Sequence, residues 1–156
     1  MKKRSRLAAL LLAGVMALLL LTACGGSKGE EAAAENAVMN QIRARSASTQ
    51  SLENDAELRR IAMQNLDSDI EAGYRNYLFK HKLHTKHTND SVILTITAEY
   101  NYKDTNLEKL LDYILGDKGY DSDLNIKEDG NWTKVGVAVK NEKGRSYVAI
   151  SIQVKK

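Results

Sequence analysis

Three histidines, His81, His84 and His87, stand in one short stretch, HKLHTKH, and they are all the histidines of the chain. Clustered imidazoles are the raw material of a zinc-type site or of acid–base chemistry near neutral pH. Their spacing argues against a self-contained metal site. On an α-helix, steps of three residues turn about 300°, so the set would fan over about 120° of the surface. On a strand, odd spacing sends neighbours to opposite faces. A loop or a 3₁₀ turn could converge all three, but such turns rarely run beyond about 3 to 4 residues. The stretch is therefore expected to be a solvated loop rich in lysine and histidine.

Other chemistry-bearing residues are sparse. The one Gly-x-Ser-x-Gly segment, Gly25 to Gly29, lies in a small, polar, glycine-rich stretch with no strand before it, and no glycine-rich phosphate loop follows a strand. The acidic stretch DKGYDSDLNIKEDGN carries carboxylates at 117, 121, 123, 128 and 129. Its Asp121-x-Asp123 pair lacks the glycine and terminal glutamate offsets of a calcium loop. Trp132 opens an apolar alternation and reads as a core or rim aromatic rather than a ligand platform. Glu99 and His81 could form an acid–base pair, but the residues alone favour a structural Glu99 at a strand end and an exposed His81. No catalytic residue, cofactor or metal is assigned from the sequence.

The N-terminus gives the clearest address. Lys2, Lys3, Arg4 and Arg6 precede an uncharged apolar run from Leu7 to Leu21, the order of a secretory signal. That run is shorter than the about 20 residues of a membrane-spanning helix. Leu21-Thr22-Ala23-Cys24 then resembles the lipobox of bacterial lipoproteins, in which the cysteine is acylated and becomes the mature N-terminus. Cys24 is the only cysteine, so no internal disulfide can form. Two acyl chains at about 0.8 kcal/mol per buried methylene would anchor the protein without a transmembrane segment.

The resulting expectation is a signal peptide over 1–23, a flexible tether over 24–31 from a lipidated Cys24, and one domain over 32–156. It places the protein on the extracytoplasmic face of the cell membrane. Processing also removes four of the 23 basic residues and none of the 20 acidic ones, leaving 19 against 20. A near-neutral chain with one Trp and one Phe makes no case for a nucleic-acid partner.

The elements that must position these residues follow from periodicity. Ala34, Val38, Met39 and Ile42 form one stripe of a helix from about 32 to 45. Asn54 with Glu57 is a capping-box-like start for a longer helix carrying Leu58, Ile61, Ala62, Leu66 and Ile70. Alternation at Val92, Leu94, Ile96 and Ala98 predicts a strand with one well-buried face. Thr105 with Glu108 opens a short helix ending near Gly116. Val135, Val137 and Val139, the turn Asn141 to Gly144, and Val148, Ile150, Ile152 and Val154 predict a closing hairpin. The fold class is α+β, with helices on a small antiparallel sheet of about three strands.

In that order the segments resemble the SCP-like domain of the CAP superfamily. AVMNQIRAR at 37–45 is similar to the family's opening helix, and SLENDAELRRIA at 51–62 to its acidic turn and second helix. AEYN at 98–101 is similar to its Gly-Glu-Asn strand motif, and WTKVGVAVKNEKGRSYVAISIQV at 132–154 to its closing hairpin. The likeness spans about 115 residues, a domain's length. It implies a three-layer α-β-α arrangement around a cavity with two histidines and two acidic residues.

Glu99 matches the motif glutamate. His81 matches the first histidine with one extra residue intervening, and Tyr120 stands where the second histidine would. Asp117 is the carboxylate nearest the remaining position. A phenol with a pKa of about 10 is a poor substitute for imidazole on zinc. The resemblance thus implies a non-enzymatic module that binds an extracellular ligand or protein through His81, Glu99 and Tyr120. The alternatives are a metal-binding or hydrolytic lipoprotein using His81 and Glu99 with His84 and His87, and an unrelated small α+β adhesion module.

Overall fold

The computed structural model describes residues 27–76, 81–100, 108–110 and 129–156. Two helices, α1 (Ser27–Arg43) and α2 (Ala56–Asn76), precede the strands β1 (His81–His87) and β2 (Ser91–Glu99). Residues 108–110 are helical, and a 3₁₀ turn at Asp129–Asn131 leads into β3 (Trp132–Glu142) and β4 (Arg145–Lys155). The four strands form one antiparallel sheet in the order β1-β2-β4-β3. No helix among the described residues is long and apolar enough to cross a membrane. The α+β class and the helices packed on an antiparallel sheet agree with the sequence reading; the sheet has four strands instead of about three.

The extra strand is the histidine stretch. HKLHTKH is not a loop: it pairs along its whole length with β2, from His81 opposite Ala98 to His87 opposite Val92. It lacks apolar alternation because it lies at the sheet's edge, where only Leu83 and His84 are half-buried. Thr88 and Ser91 close the connection, with the Ser91 carbonyl accepting from both the Thr88 amide and its hydroxyl. The start of α1 also differs from expectation. The helix begins at Ser27, so residues 27–31 of the expected tether are helical.

Both faces of the sheet are covered, and β2 is buried along nearly all of its length. Val92, Leu94, Ile96 and Ala98 join Val135, Val137, Val139, Val148, Ile150, Ile152 and Val154 in the main core, with Ala34, Val38, Met39 and Ile42 of α1, Leu110 and Trp132. The stripe predicted for the first helix is thus the one that packs. On the other face α2 sets Ala62, Leu66 and Ile70 against Ala138, Tyr147 and Ala149, and Leu58 and Ile61 against Ile93. A strand buried on both faces is what helices on either side of a sheet produce.

β3 is the second edge, and side chains close it. The Val137 amide donates to Asn54 Oδ1 at 2.8 Å, while Asn54 Nδ2 donates back to the Val137 carbonyl at 3.0 Å. The Val139 amide donates to Glu35 Oε1 at 3.1 Å, and the Asn141 amide to Glu31 Oε1 at 2.8 Å. Alternate edge amides that would otherwise be open to another strand are thereby satisfied.

This use of Asn54 moves the cap of α2 by one residue from the expected position. Asp55 takes the role: its Oδ1 accepts from the Leu58 amide at 3.0 Å and the Glu57 amide at 3.1 Å. Asn54 is engaged with β3 instead.

The hairpin turn falls where NEKG predicted it, with Lys143 at φ 52° and Gly144 at φ 74°, the two left-handed residues of a tight primed turn. Gly136 has a different reason. A Cβ there would lie 2.2 Å from the Arg59 amide nitrogen and 2.3 Å from the Leu58 carbonyl carbon. The first turn of α2 therefore rests directly on the β3 backbone.

Two outcomes follow. Gly136→Ala must push helix from strand, and is expected to lower unfolding stability by about 3 kcal/mol in urea titrations; a loss below about 0.5 kcal/mol would show that the helix is free to retreat. Asp55 is held below the usual aspartate range, first by the Leu58 amide and also by Lys134. A depressed folded pKa means stability that is present above the unfolded value of about 3.9 and lost as pH falls through the folded one. Asp55→Ala should therefore cost about 1 kcal/mol at neutral pH, and the gap to wild type should narrow below about pH 4.

Candidate functional site

One buried polar cluster among the described residues centres on Asp69. It projects from the sheet-facing side of α2, beside Leu66 and Ile70, and is only 3% exposed. A carboxylate on an apolar stripe must find donors, and β1 and β2 supply them. The Thr97 hydroxyl, fully buried, donates to Asp69 Oδ2. His84 Nε2 lies 2.6 Å from the same oxygen, and Lys82 Nζ 3.3 Å from Oδ1.

The register explains the convergence. Lys82 is opposite Thr97 and His84 opposite Thr95, so all four side chains point to the α2 face. Thr95 is satisfied separately, its hydroxyl 2.6 Å from that of Ser151.

This arrangement holds more readily than it reacts. A hydroxyl nucleophile paired with an imidazole base hands its proton to that imidazole, whereas the Thr97 hydroxyl donates to the Asp69 carboxylate, on which His84 is also seated. Buried Thr97 also offers no path to a substrate. The solvent-facing part of the cluster is basic: the side chains of His84 and Lys82 are 32% and 48% exposed. The cluster's clearest effect is to tie an edge strand to a helix across β2.

The residues singled out from the sequence are distributed differently. His81 pairs with Ala98 and is exposed on the α1 face of the sheet, whereas Glu99 pairs with Tyr147 on the α2 face. The sheet therefore separates them. Glu99 ends β2 and lies 3.8 Å from Arg145 Nη1.

No family model, curated protein or solved structure matches this chain. The site is therefore argued from its own geometry.

His87 shares a face with His81 but stands six residues away, about 20 Å along the strand, and His84 points to the opposite face. Among the described residues no group of three or more His, Cys, Asp or Glu side chains is placed to hold a metal ion. Tyr120, Asp117 and Cys24 lie outside the described residues, as do the Asp121-x-Asp123 pair and most of the helix expected over 105–116. Trp132 is a buried core aromatic, with the Arg45 guanidinium 5.5 Å from its ring centroid. Arg45 also pairs with Glu108 at 2.6 Å.

The sequence reading passed over Asp69 and Thr97. A signal was there for Asp69: it sits three residues after Leu66 and next to Ile70, on the stripe that must be buried. Asp69→Ala is expected to cost about 2–4 kcal/mol, since it leaves the Thr97 hydroxyl buried without its acceptor. Amide exchange should accelerate in β1 more than in β4. Asp69→Asn, which keeps an acceptor, should lose less. Equal acceleration in the two strands would show that Asp69 does not hold the edge.

Proposed function

We propose that this chain is a lipid-anchored protein of the extracytoplasmic membrane face, whose divergent SCP-like domain works by binding an extracellular ligand or partner rather than by catalysis. The observation that carries the anchoring is the apolar run from Leu7 to Leu21 ending in Leu21-Thr22-Ala23-Cys24, the only cysteine of the chain. With α1 beginning at Ser27, three residues beyond Cys24, an extended link reaches only about 10 Å. The domain would stand close against the bilayer. Acyl chains would supply the affinity and the fold would supply the recognition.

The domain reading is supported by where the family-like segments fall. Residues 37–43 lie within α1, residues 56–62 open α2, and Glu99 ends β2. The segment 132–154 makes the closing hairpin. The burial of α1 against one sheet face and α2 against the other is compatible with α-β-α layering. His81 and Glu99 occupy opposite sheet faces, which weighs against metal-dependent hydrolysis through that pair and equally moves any ligand site away from a pocket shared by the two.

Expression of the full chain in a lipoprotein-processing bacterium fed an alkyne-palmitate analogue provides the test. The wild-type protein should take up label and sediment with membranes. Cys24→Ala should lose the label and leave the membrane fraction. Persistent labelling of the alanine variant, or an unlabelled wild type, sinks the anchoring.

A further inference from the structure

The two edges of the sheet are treated differently. Side chains of Asn54, Glu31 and Glu35 close β3, whereas no described strand or side chain is seated along the outer edge of β1. The direction of its backbone groups follows from the register. Tyr100 donates its amide to Ser146 on the β4 side, and Ser91 accepts from Thr88 on the β1 side. Hence odd-numbered residues of β2 bond to β1. Their partners Lys82, His84 and Lys86 turn their amides inward, and Leu83, Thr85 and His87 turn theirs outward.

Among the described residues the amides of Leu83, Thr85 and His87 thus face outward without a neighbouring strand, flanked on the α2 face by Lys82 and His84, which hold Asp69, and by exposed Lys86. HKLHTKH contains no carboxylate. Lys82, His84 and Lys86 project together on the α2 face. Half-buried Leu83, packed against the main core, marks the other face.

We infer that the outer edge of β1 docks an extended peptide bearing carboxylates at alternate positions, which adds as a fifth strand. Backbone bonds to Leu83, Thr85 and His87 provide the affinity common to strand addition, and side-chain pairing sets the choice. One face of the incoming peptide meets exposed Lys86 and the solvent-facing side of Lys82, whose ammonium is shared with Asp69, so acidic residues there form favourable cross-strand pairs. Its other face lies beside Leu83 and suits an apolar residue. A second copy of this chain is a poorer occupant. Antiparallel self-pairing of β1 sets Lys82 against Lys86 and His84 against itself, and like charges directly opposite repel. The same lysines that discourage self-association select an acidic partner.

This inference rests on the binding reading above for its place in the protein's work. Its failure would be distinct, because acylation of Cys24 is measured without any peptide.

The test uses the purified full chain and a short fluorescein-labelled peptide of alternating glutamate and valine, followed by fluorescence anisotropy and amide exchange. The peptide should bind, weaken with rising salt, and protect the amides of Leu83, Thr85 and His87. A lysine–valine peptide, or the glutamate peptide N-methylated at alternate amides, should not bind. Thr85→Pro removes one outward amide and no β1–β2 bond; it should weaken binding by at least about fivefold. Lys86→Glu, at an exposed position, should weaken it comparably and serves as the deciding variant if the proline variant is unfolded by circular dichroism. Absence of binding to the glutamate peptide, wild-type affinity in Lys86→Glu, or protection that falls away from β1 overturns the proposal.

Discussion

Glu35 joins three elements at once. Only 6% exposed on α1, its carboxylate accepts from Arg59 Nε and Nη2 of α2, both at 2.8 Å, and from the Val139 amide of β3 at 3.1 Å. Arg59 is correspondingly held in its charged form, its pKa raised first by the hydrogen bond to Glu35. The Coulomb part of this pair is modest, because the Arg59 side chain is 44% exposed and solvent screens it. The larger constraint is backbone. Without Glu35 the buried amide of Val139 has no acceptor, an omission that costs about 1–3 kcal/mol. One residue therefore fixes how α1 and α2 sit relative to β3, and the edge of the sheet with them.

Everything at the other edge depends on that docking. With α1 and β3 locked and Gly136 allowing the first turn of α2 onto the strand backbone, the rest of α2 is aimed across the sheet. Its later turns then bring Asp69 over β2 to within reach of β1. Lys140 reinforces the path, pairing with Asp67 at 2.7 Å, the chief reason its pKa is raised. The helix is thus fixed to backbone at one end and to a buried carboxylate cluster at the other. β1, with few apolar side chains of its own, owes its attachment to the β2 ladder and to this cluster.

What the sequence disclosed follows from how much apolar area each segment buries. The stripe of α1 and the two alternating strands of the hairpin bury large side chains at regular spacing, and their patterns predicted them. β1 buries part of Leu83 and part of His84, so periodicity had nothing to register and the stretch read as a loop. Asn54 and Asp55 are both good capping residues; which one caps depends on β3, eighty residues downstream, whose edge needs an amide partner. The alternation in β2 predicted one buried face correctly. Its second buried face is Ser91, Ile93, Thr95 and Thr97, and threonines read as solvent-facing unless a partner such as Ser151 or Asp69 is known to lie above them.

His81 and Glu99 each stand in a family-like segment, and the register separates them by the parity of their positions. Parity is a hard constraint, since a shift of one residue in the ladder would turn the whole of β1 over. It would carry His84 and Lys82 away from Asp69 and leave that carboxylate buried without its two β1 partners. Asp69 therefore specifies the register as well as the attachment, and in doing so it determines which backbone amides of β1 face outward. The chemistry offered at that edge is a consequence of a residue buried one strand away, where no motif would have directed attention.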